Sequence, residues 1–356
     1  MFKSNKVFFI RGLFLLFGFI ALNSCFFDEN ESIGSDGNTK TTLNIYSDRH
    51  YPIDDTIYAT FERLHDVKIN LVKGKSEDLL SRLNKEGSAT KADLLVTADA
   101  GRLVQAKNAG LLKHFKEIEN LSNVPAYLFD EEKYWIALTK RARIIVYDKE
   151  RVDRSELSTY EDLINEKWKG RIAVRSKENV YNQSLLASIL ANNGKEKALN
   201  WVKGVVGNMA RPPKGNDRDQ IKHIYNKGAD IAIVNTYYVG KMLESDDKNE
   251  RLAAESIGVF FPNQENRGAH INISGVGLVK ASKKDDLASE LVDFLLSHDI
   301  QTHYAKANFE YPVIEGVPLH QIVQEWGDFE QDQLPLNKIG ELNTEAIKLF
   351  DIGGWK

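Results

Sequence analysis

Cysteine is almost missing: the 356 residues contain one, Cys25. A single thiol excludes an internal disulfide framework, a thiolate zinc site and a cysteine-held iron–sulfur cluster. Basic charge is not in excess either. Lys and Arg number 47 against 51 Asp and Glu, a formal net charge of -4, which gives no electrostatic footprint for nucleic acid. No H-E-x-x-H, G-x-S-x-G or Walker loop occurs, and the eight histidines show no paired metal-ligand spacing, so the common zinc-hydrolase, serine-hydrolase and nucleotide-binding signatures are absent. Internal repeats at solenoid periods are lacking as well. What remains is an ordinary globular balance, 42% hydrophobic and 28% charged, in a length that suits two domains of about 150 residues each.

The first 25 residues stand apart. Lys3, Lys6 and Arg11 precede an uncharged run, residues 12–22 (GLFLLFGFIAL). That run is about half of the roughly 20 residues a membrane-spanning helix needs, and it fits the apolar core of a signal peptide. Leu22-Asn23-Ser24-Cys25 follows and resembles the lipobox of bacterial lipoproteins, with Asn23 a less usual residue at its position; the plain alternative is an ordinary signal peptide with a chance cysteine. Residues 1–24 are therefore expected to be cleaved, Cys25 to be lipidated, and residues 25–40, acidic with Ser and Gly, to act as a tether. The cleaved part holds three of the basic residues and none of the acidic ones, so the mature chain is more acidic than the whole. An acidic, exported chain suits a cation or small-molecule binder.

Beyond residue 40 the chain alternates strands and helices. Residues 43–46, 67–72 and 92–97 read as strands, with helices expected at 54–65, from Ser76, and at 101–108. This βαβα rhythm implies a largely parallel sheet covered by helices. A second unit has strands at 171–175 and 230–234, a helix at 183–190 and another beginning near Tyr237. Residues 142–147 and 274–279 are β-type stretches that could link two lobes twice and so form a hinge. From Asp285 the chain reads as helical.

Tyrosine, rather than histidine or cysteine, marks the candidate site. His50-Tyr51, Tyr181 and Tyr237-Tyr238 each lie just past a strand, and in open α/β sheets ligands bind outside the carboxyl ends of strands. A free phenol titrates near pH 10, but a bound metal can drive off its proton. Hard oxygen donors suit a hard cation such as ferric iron. Three phenolates would neutralise Fe(III), and a fourth would leave an excess that a nearby arginine could balance. Thirteen tyrosines also arise in pairs by chance, and a Tyr-Tyr pair serves equally as a stacking platform for a sugar or an amine.

At these residues the chain resembles the periplasmic ferric-iron-binding proteins, the solute receptors of iron ABC transporters, and within them the branch with several site tyrosines and an adjacent histidine. The resemblance runs from about Thr42 to the C-terminus through SDRHYPID (47–54), KADLLVTADAGRL (91–103), LTKRARIIVYDKERV (138–152), RSKENVYNQSLLASIL (175–190), RPPKGNDRDQIK (211–222), ADIAIVNTYYVG (229–240), GVFFPNQENRGAHINISG (258–275) and ANFEYPV (307–313). It implies an α/β, type II periplasmic-binding-protein fold. One lobe comprises residues 41–140 plus about 275–315, and the other about 141–274 plus about 316–356. It implies Fe(III) in the interlobe cleft, with Fe(II) as the alternative, held by Tyr51, Tyr181, Tyr237 and Tyr238. His50 is implied as a ligand that approaches or leaves the metal. A small anion or water completes the shell. The implied partner is an ABC permease, and the implied protein is a non-enzymatic monomer, lipid-anchored on the periplasmic side of the membrane. Arg141 and Arg143 either offset phenolate charge or salt-bridge the lobes. The R-P-P-x-G-N-D-R-D-Q stretch reads as a structural turn and helix start. Competing functions are the same fold holding a small organic solute or anion, and a lipid-anchored hydrolase.

Overall fold

The computed structural model describes residues 40–49 and 51–356; the expected signal peptide, Cys25, the tether and His50 lie outside the described residues. The described chain opens with β1 (Thr42–Ser47), α1 (Pro52–His65), β2 (Lys68–Lys73), α2 (Ser76–Glu86), β3 (Leu94–Thr97) and α3 (Ala100–Asn108). α1 begins where a proline at its first position and Asp54 and Asp55 in its first turn favour a helix start. It buries Ile57, Tyr58 and Phe61 at helical spacing. β1 pairs in parallel with both β2 and β3, as the βαβα rhythm requires.

There follow β4 (Leu112–Lys113) and the longest of the described strands, β5 (Trp135–Asp148). Then come β6 (Ile172–Ala173), α4 (Val180–Asn193), α5 (Lys195–Asn208), α6 (Asp217–Tyr225), β7 (Ile231–Asn235), α7 (Thr236–Leu243), α8 (Lys248–Glu255) and β8 (Ile257–Phe260). The chain returns through β9 (Ile271–Val279) and ends in α9 (Asp285–Leu295), α10 (His298–Asn308), α11 (Gln321–Glu325) and α12 (Leu336–Gly353).

The strand order is β2-β1-β3-β9-β5-β7-β6, with β4 attached to β9 and β8 to β5. The sheet is mixed, not largely parallel. β3–β9, β5–β9 and β5–β7 are antiparallel, because β5 and β9 carry the chain across and back between the two parallel units. The two β-type stretches read from the sequence are thus halves of longer strands that pair with each other. The first half of β5 pairs with β9 and its second half with β7 and β8. A register irregularity at Ala137/Thr139 bends β5 just before the switch.

α12 packs against α3, α4 and α5. The approach to α3 is close enough that a Cβ on Gly340 would lie 2.3 Å from that of Val104, so only glycine fits. The last helix therefore lies over elements from both parallel units. Between α3 and α4 it contributes Asn343, which accepts from Gln105 Nε2 at 3.1 Å and donates to Gln183 Oε1 at 3.4 Å.

A tyrosine cluster and its buried arginines

Three of the four candidate tyrosines, Tyr51, Tyr237 and Tyr238, lie within four residues of the carboxyl end of a strand, whereas Tyr181 is eight residues past the end of β6. Tyr51 follows β1 and leads into α1, where its backbone N–H donates to Asp54 Oδ2 at 3.3 Å. Tyr181 follows β6, but it is the second residue of α4 and not part of a preceding loop: the helix starts three residues earlier than apolar periodicity indicates. Tyr237 and Tyr238 lie in the first turn of α7. α7 packs on Phe309 through Gly240, where a Cβ would fall 2.5 Å from the ring.

The four phenols meet. The Tyr181 and Tyr237 hydroxyls are 3.3 Å apart. The Tyr51 ring meets that of Tyr237 edge-on with centroids 5.9 Å apart, and the Tyr237 and Tyr238 rings lie 4.3 Å apart. All four line a cleft of about 1320 Å³. Burial pushes the Tyr51, Tyr181 and Tyr237 hydroxyls above the ordinary phenol range. The Glu310 carboxylate and Tyr181 add to the rise at Tyr51, while Arg49 and Arg141 oppose it. Without a cation these groups hold their protons through the neutral range. Among the described residues no group of three His, Cys, Asp or Glu side chains could hold a metal ion, so the oxygen donors gathered here are phenolic.

Three arginines lie beneath the cluster, each at most 2% exposed, and they differ in their partners. Arg49, next to Tyr51, does point inward. Its Nε meets Asp54 Oδ1 at 2.9 Å and its Nη1 meets Glu310 Oε2 at 3.0 Å, with Tyr51 over the guanidinium at 4.6 Å. Arg143 pairs with Asp217 at 2.9 Å and donates to Asn182 Oδ1 at 2.9 Å. Among the described residues Arg141 donates to neutral oxygens, the Ser274 hydroxyl at 3.3 Å and the Ala98 carbonyl, and its buried Nε has no hydrogen-bond partner. It lies 5.5 Å from the Tyr181 ring centroid. Burial alone would lower its pKa, but Tyr181, Tyr237, Tyr51 and Glu310 outweigh that and raise it. The Arg143–Asp217 ion pair joins two residues of the same expected lobe and so is no bridge between lobes, and both guanidiniums lie near the Tyr181 ring, Arg141 at 5.5 Å and Arg143 at 5.9 Å from its centroid.

Two more groups belong to the site and carry no sequence motif. Glu310 is 1% exposed and comes from the turn after α10, where Phe309 adopts a left-handed backbone (φ 56°). Lys241, one turn beyond Tyr237 on α7, places its ammonium 4.0 Å from the Tyr51 ring centroid. Burial pulls its pKa down to about 8, against the attraction of Glu310. The one available signal was a lone carboxylate among the aromatics of ANFEYPV.

Residues 89–328 match the family described as bacterial extracellular solute-binding protein, and the chain belongs to that family. Its fold is the type II solute-binding fold, as in apo FutA2 from Synechocystis, at 37% identity and a TM-score of 0.84 over 89% of this chain and 100% of that one. Among individual relatives, iron uptake protein A1 of Synechocystis is 43% identical over 94% of this chain and 93% of its own length. A Trichodesmium protein (IdiA, FutA) solved in complex with iron and citrate ligands is 42% identical. Its TM-score is 0.85, and the match covers 88% of this chain and 100% of that one.

Proposed function

We propose that this protein is an extracytoplasmic receptor that captures Fe(III) through the phenolates of Tyr51, Tyr181, Tyr237 and Tyr238 and delivers it to an ABC permease. The convergence of four phenols, Tyr237 buried and the other three half-buried, on one cleft beside a buried arginine that makes no direct ion pair among the described residues carries the reading. Four phenolates around Fe(III) leave one excess negative charge, and Arg141 supplies the matching positive one. His50, adjacent to Tyr51, is the further ligand. Ferric iron is the cargo here, not a resident cofactor, and the chain performs no bond-breaking step.

Two lobes divide as residues 41–140 plus about 275–315 and about 141–274 plus about 316–356. Tyr51 then belongs to one lobe and the other three tyrosines to the second. Bending of β5 and β9 where they switch partners would bring the lobes together over the ion, exclude water and strengthen each charged contact. The closed form is the signal that the permease reads. Protonation of the phenolates or reduction to Fe(II) weakens the site and releases the ion. A lipid on Cys25 holds the monomeric receptor at the periplasmic side of the membrane.

The test is an absorption titration of the iron-free mature chain with chelated Fe(III). A phenolate-to-iron charge-transfer band saturating at one iron per chain, and lost when Tyr237→Phe and Tyr238→Phe are combined, is the expected result. No band in the unsubstituted chain would overturn the reading and direct attention to Fe(II) and organic solutes. Running the titration with and without citrate reads whether a small anion enters with the ion.

A further inference from the structure

Most of the segment RPPKGNDRDQ has a structural task. The Asn216 side chain caps α6, accepting from the N–H groups of Arg218 and Asp219 at 2.9 and 3.2 Å. Asp219 returns the bond to the Asn216 N–H at 2.8 Å. Gln220 donates to the Lys214 and Asn216 carbonyls at 2.7 and 2.9 Å, which fixes the turn. Asp217 meets Arg143 and accepts from the Asn235 N–H at 3.0 Å. Arg218 meets Glu250 at 2.7 Å.

Arg211 and Lys214 have no such task. Together with Lys222 and His223 they line a pocket of about 330 Å³ on the far side of the Gly215 turn from the tyrosine cleft. Arg211 makes one weak contact, Nη2 to Gln220 Oε1 at 3.3 Å, and its buried Nε has no partner. The buried Nε2 of His223 has none either. The His223 ring is closely seated, since a Cβ on Gly228 would lie 2.0 Å from Cε1. Lys222 and Arg218 share the single carboxylate of Glu250, so that trio keeps a net positive charge. Asp219 is the only acidic residue lining the pocket, and its carboxylate is engaged by the Asn216 N–H.

We propose that this pocket binds a phosphate group. A tetrahedral dianion accepts hydrogen bonds from several directions, and guanidinium, ammonium and imidazole N–H donors approaching from different elements match that geometry. Arg211 and Lys214 supply the charge, while Arg211 Nε and His223 Nε2 supply donors that now lack acceptors. The volume exceeds that of a bare phosphate, which leaves space for the organic part of a small phosphate monoester.

Calorimetric titration of the iron-free mature chain with inorganic phosphate and, separately, with glycerol 3-phosphate tests the proposal. One saturable site per chain is expected, weakened at least tenfold by Arg211→Gln with Lys214→Gln. Lys214 is exposed, so Lys214→Gln alone leaves the fold intact and should weaken binding severalfold. Tighter binding of the ester than of phosphate would assign the monoester as the source, and equal binding would assign free phosphate. No saturation in either titration, or saturation that survives both substitutions, overturns the proposal. The substituted chain should keep its iron titration, because neither residue touches the tyrosine cluster.

Discussion

Arg141 and Arg143 stand one residue apart on the same face of β5, equally buried, yet their surroundings are opposites. Arg143 has a direct counter-ion: Asp217 takes the guanidinium at 2.9 Å, and Asn182 and Asn235 fill further donors, although its buried Nε, like that of Arg141, has no partner. Asp217 also receives Arg175 at 3.4 Å. Around Arg141 the acceptors are a hydroxyl and a carbonyl. The Asp48 and Glu310 carboxylates act on Arg141 without a direct ion pair; a buried cation without a direct counter-ion is costly, and it is tolerated beside groups that become anionic in another state. Arg143 holds the scaffold under Tyr181 in one arrangement. Arg141 keeps a charge ready for phenolates that form only with the cargo.

The largest effect that would sharpen this contrast is that of pH on iron affinity. Tyr51, Tyr181 and Tyr237 hold their protons in the iron-free chain because burial raises them. Binding must therefore release one proton per phenolate formed, and affinity must fall as pH falls. Each released proton contributes a factor of about ten per pH unit, so between pH 7.5 and 5.5 the apparent constant should drop by several orders of magnitude. Competition titrations against a chelator of known pH dependence measure the slope. A flat profile would break the assignment of phenolate ligands, and Arg141 would lose its purpose with them.

Substituting the two arginines separates them directly. Arg143→Leu leaves Asp217 buried with its main partner gone, a change that typically costs about 3–5 kcal/mol; urea unfolding should show it. Arg141→Leu breaks no direct ion pair among the described residues, so stability should fall far less than in Arg143→Leu. Iron affinity should instead fall by about 1.5–3 kcal/mol, the usual worth of a hydrogen bond or contact to a charged group, or roughly 10- to 150-fold. Equal losses of stability in both variants would erase the distinction drawn between them.

The contrast was beyond the reach of sequence. Both arginines lie in one apolar run, and what distinguishes them is Asp217, which lies on another element. Strand-end tyrosines were legible because a strand's carboxyl end is a local pattern. Glu310 and Lys241 were not: Glu310 reaches the cleft through packing of a late segment, and Lys241, on the helix of Tyr237 and Tyr238, is a lone lysine whose type and spacing suggest no ligand. In the fold, α1 and α3 were readable from their apolar stripes. α4 begins earlier than read because its first turn, with Tyr181 and Asn182, is polar outside and held by Asn182 donating to the Arg175 carbonyl at 2.9 Å. RIAVR reads as a five-residue strand but pairs over only Ile172 and Ala173, after which the Arg175 carbonyl is taken by Asn182 and by Trp355 Nε1 at 2.9 Å. The mixed sheet follows from two crossings of β5 and β9, a long-range property of the chain.

A smaller effect tests the same pair of arginines from their other side. His270, just before β9, is buried and neutral: burial lowers its pKa to about 3, helped by Arg267, Arg143 and Arg141. Unfolded, the imidazole titrates near 6.5. The unfolded chain therefore binds a proton that the folded chain refuses, and the stability from this group is complete above pH 6.5 and is lost as pH falls toward about 3. The loss is about 1.4 kcal/mol per pH unit. Unfolding free energies at pH 6.5 and 4.5 should accordingly differ less in His270→Asn than in the unsubstituted chain, by about 2.3 kcal/mol. Removing one cation with Arg141→Leu should lessen the acid sensitivity in the same direction and by a smaller amount. If His270→Asn leaves the acid slope unchanged, the imidazole is not held neutral by the guanidiniums around it, and the charge surplus ascribed to this stretch of β5 is smaller than its unpaired Arg141 implies.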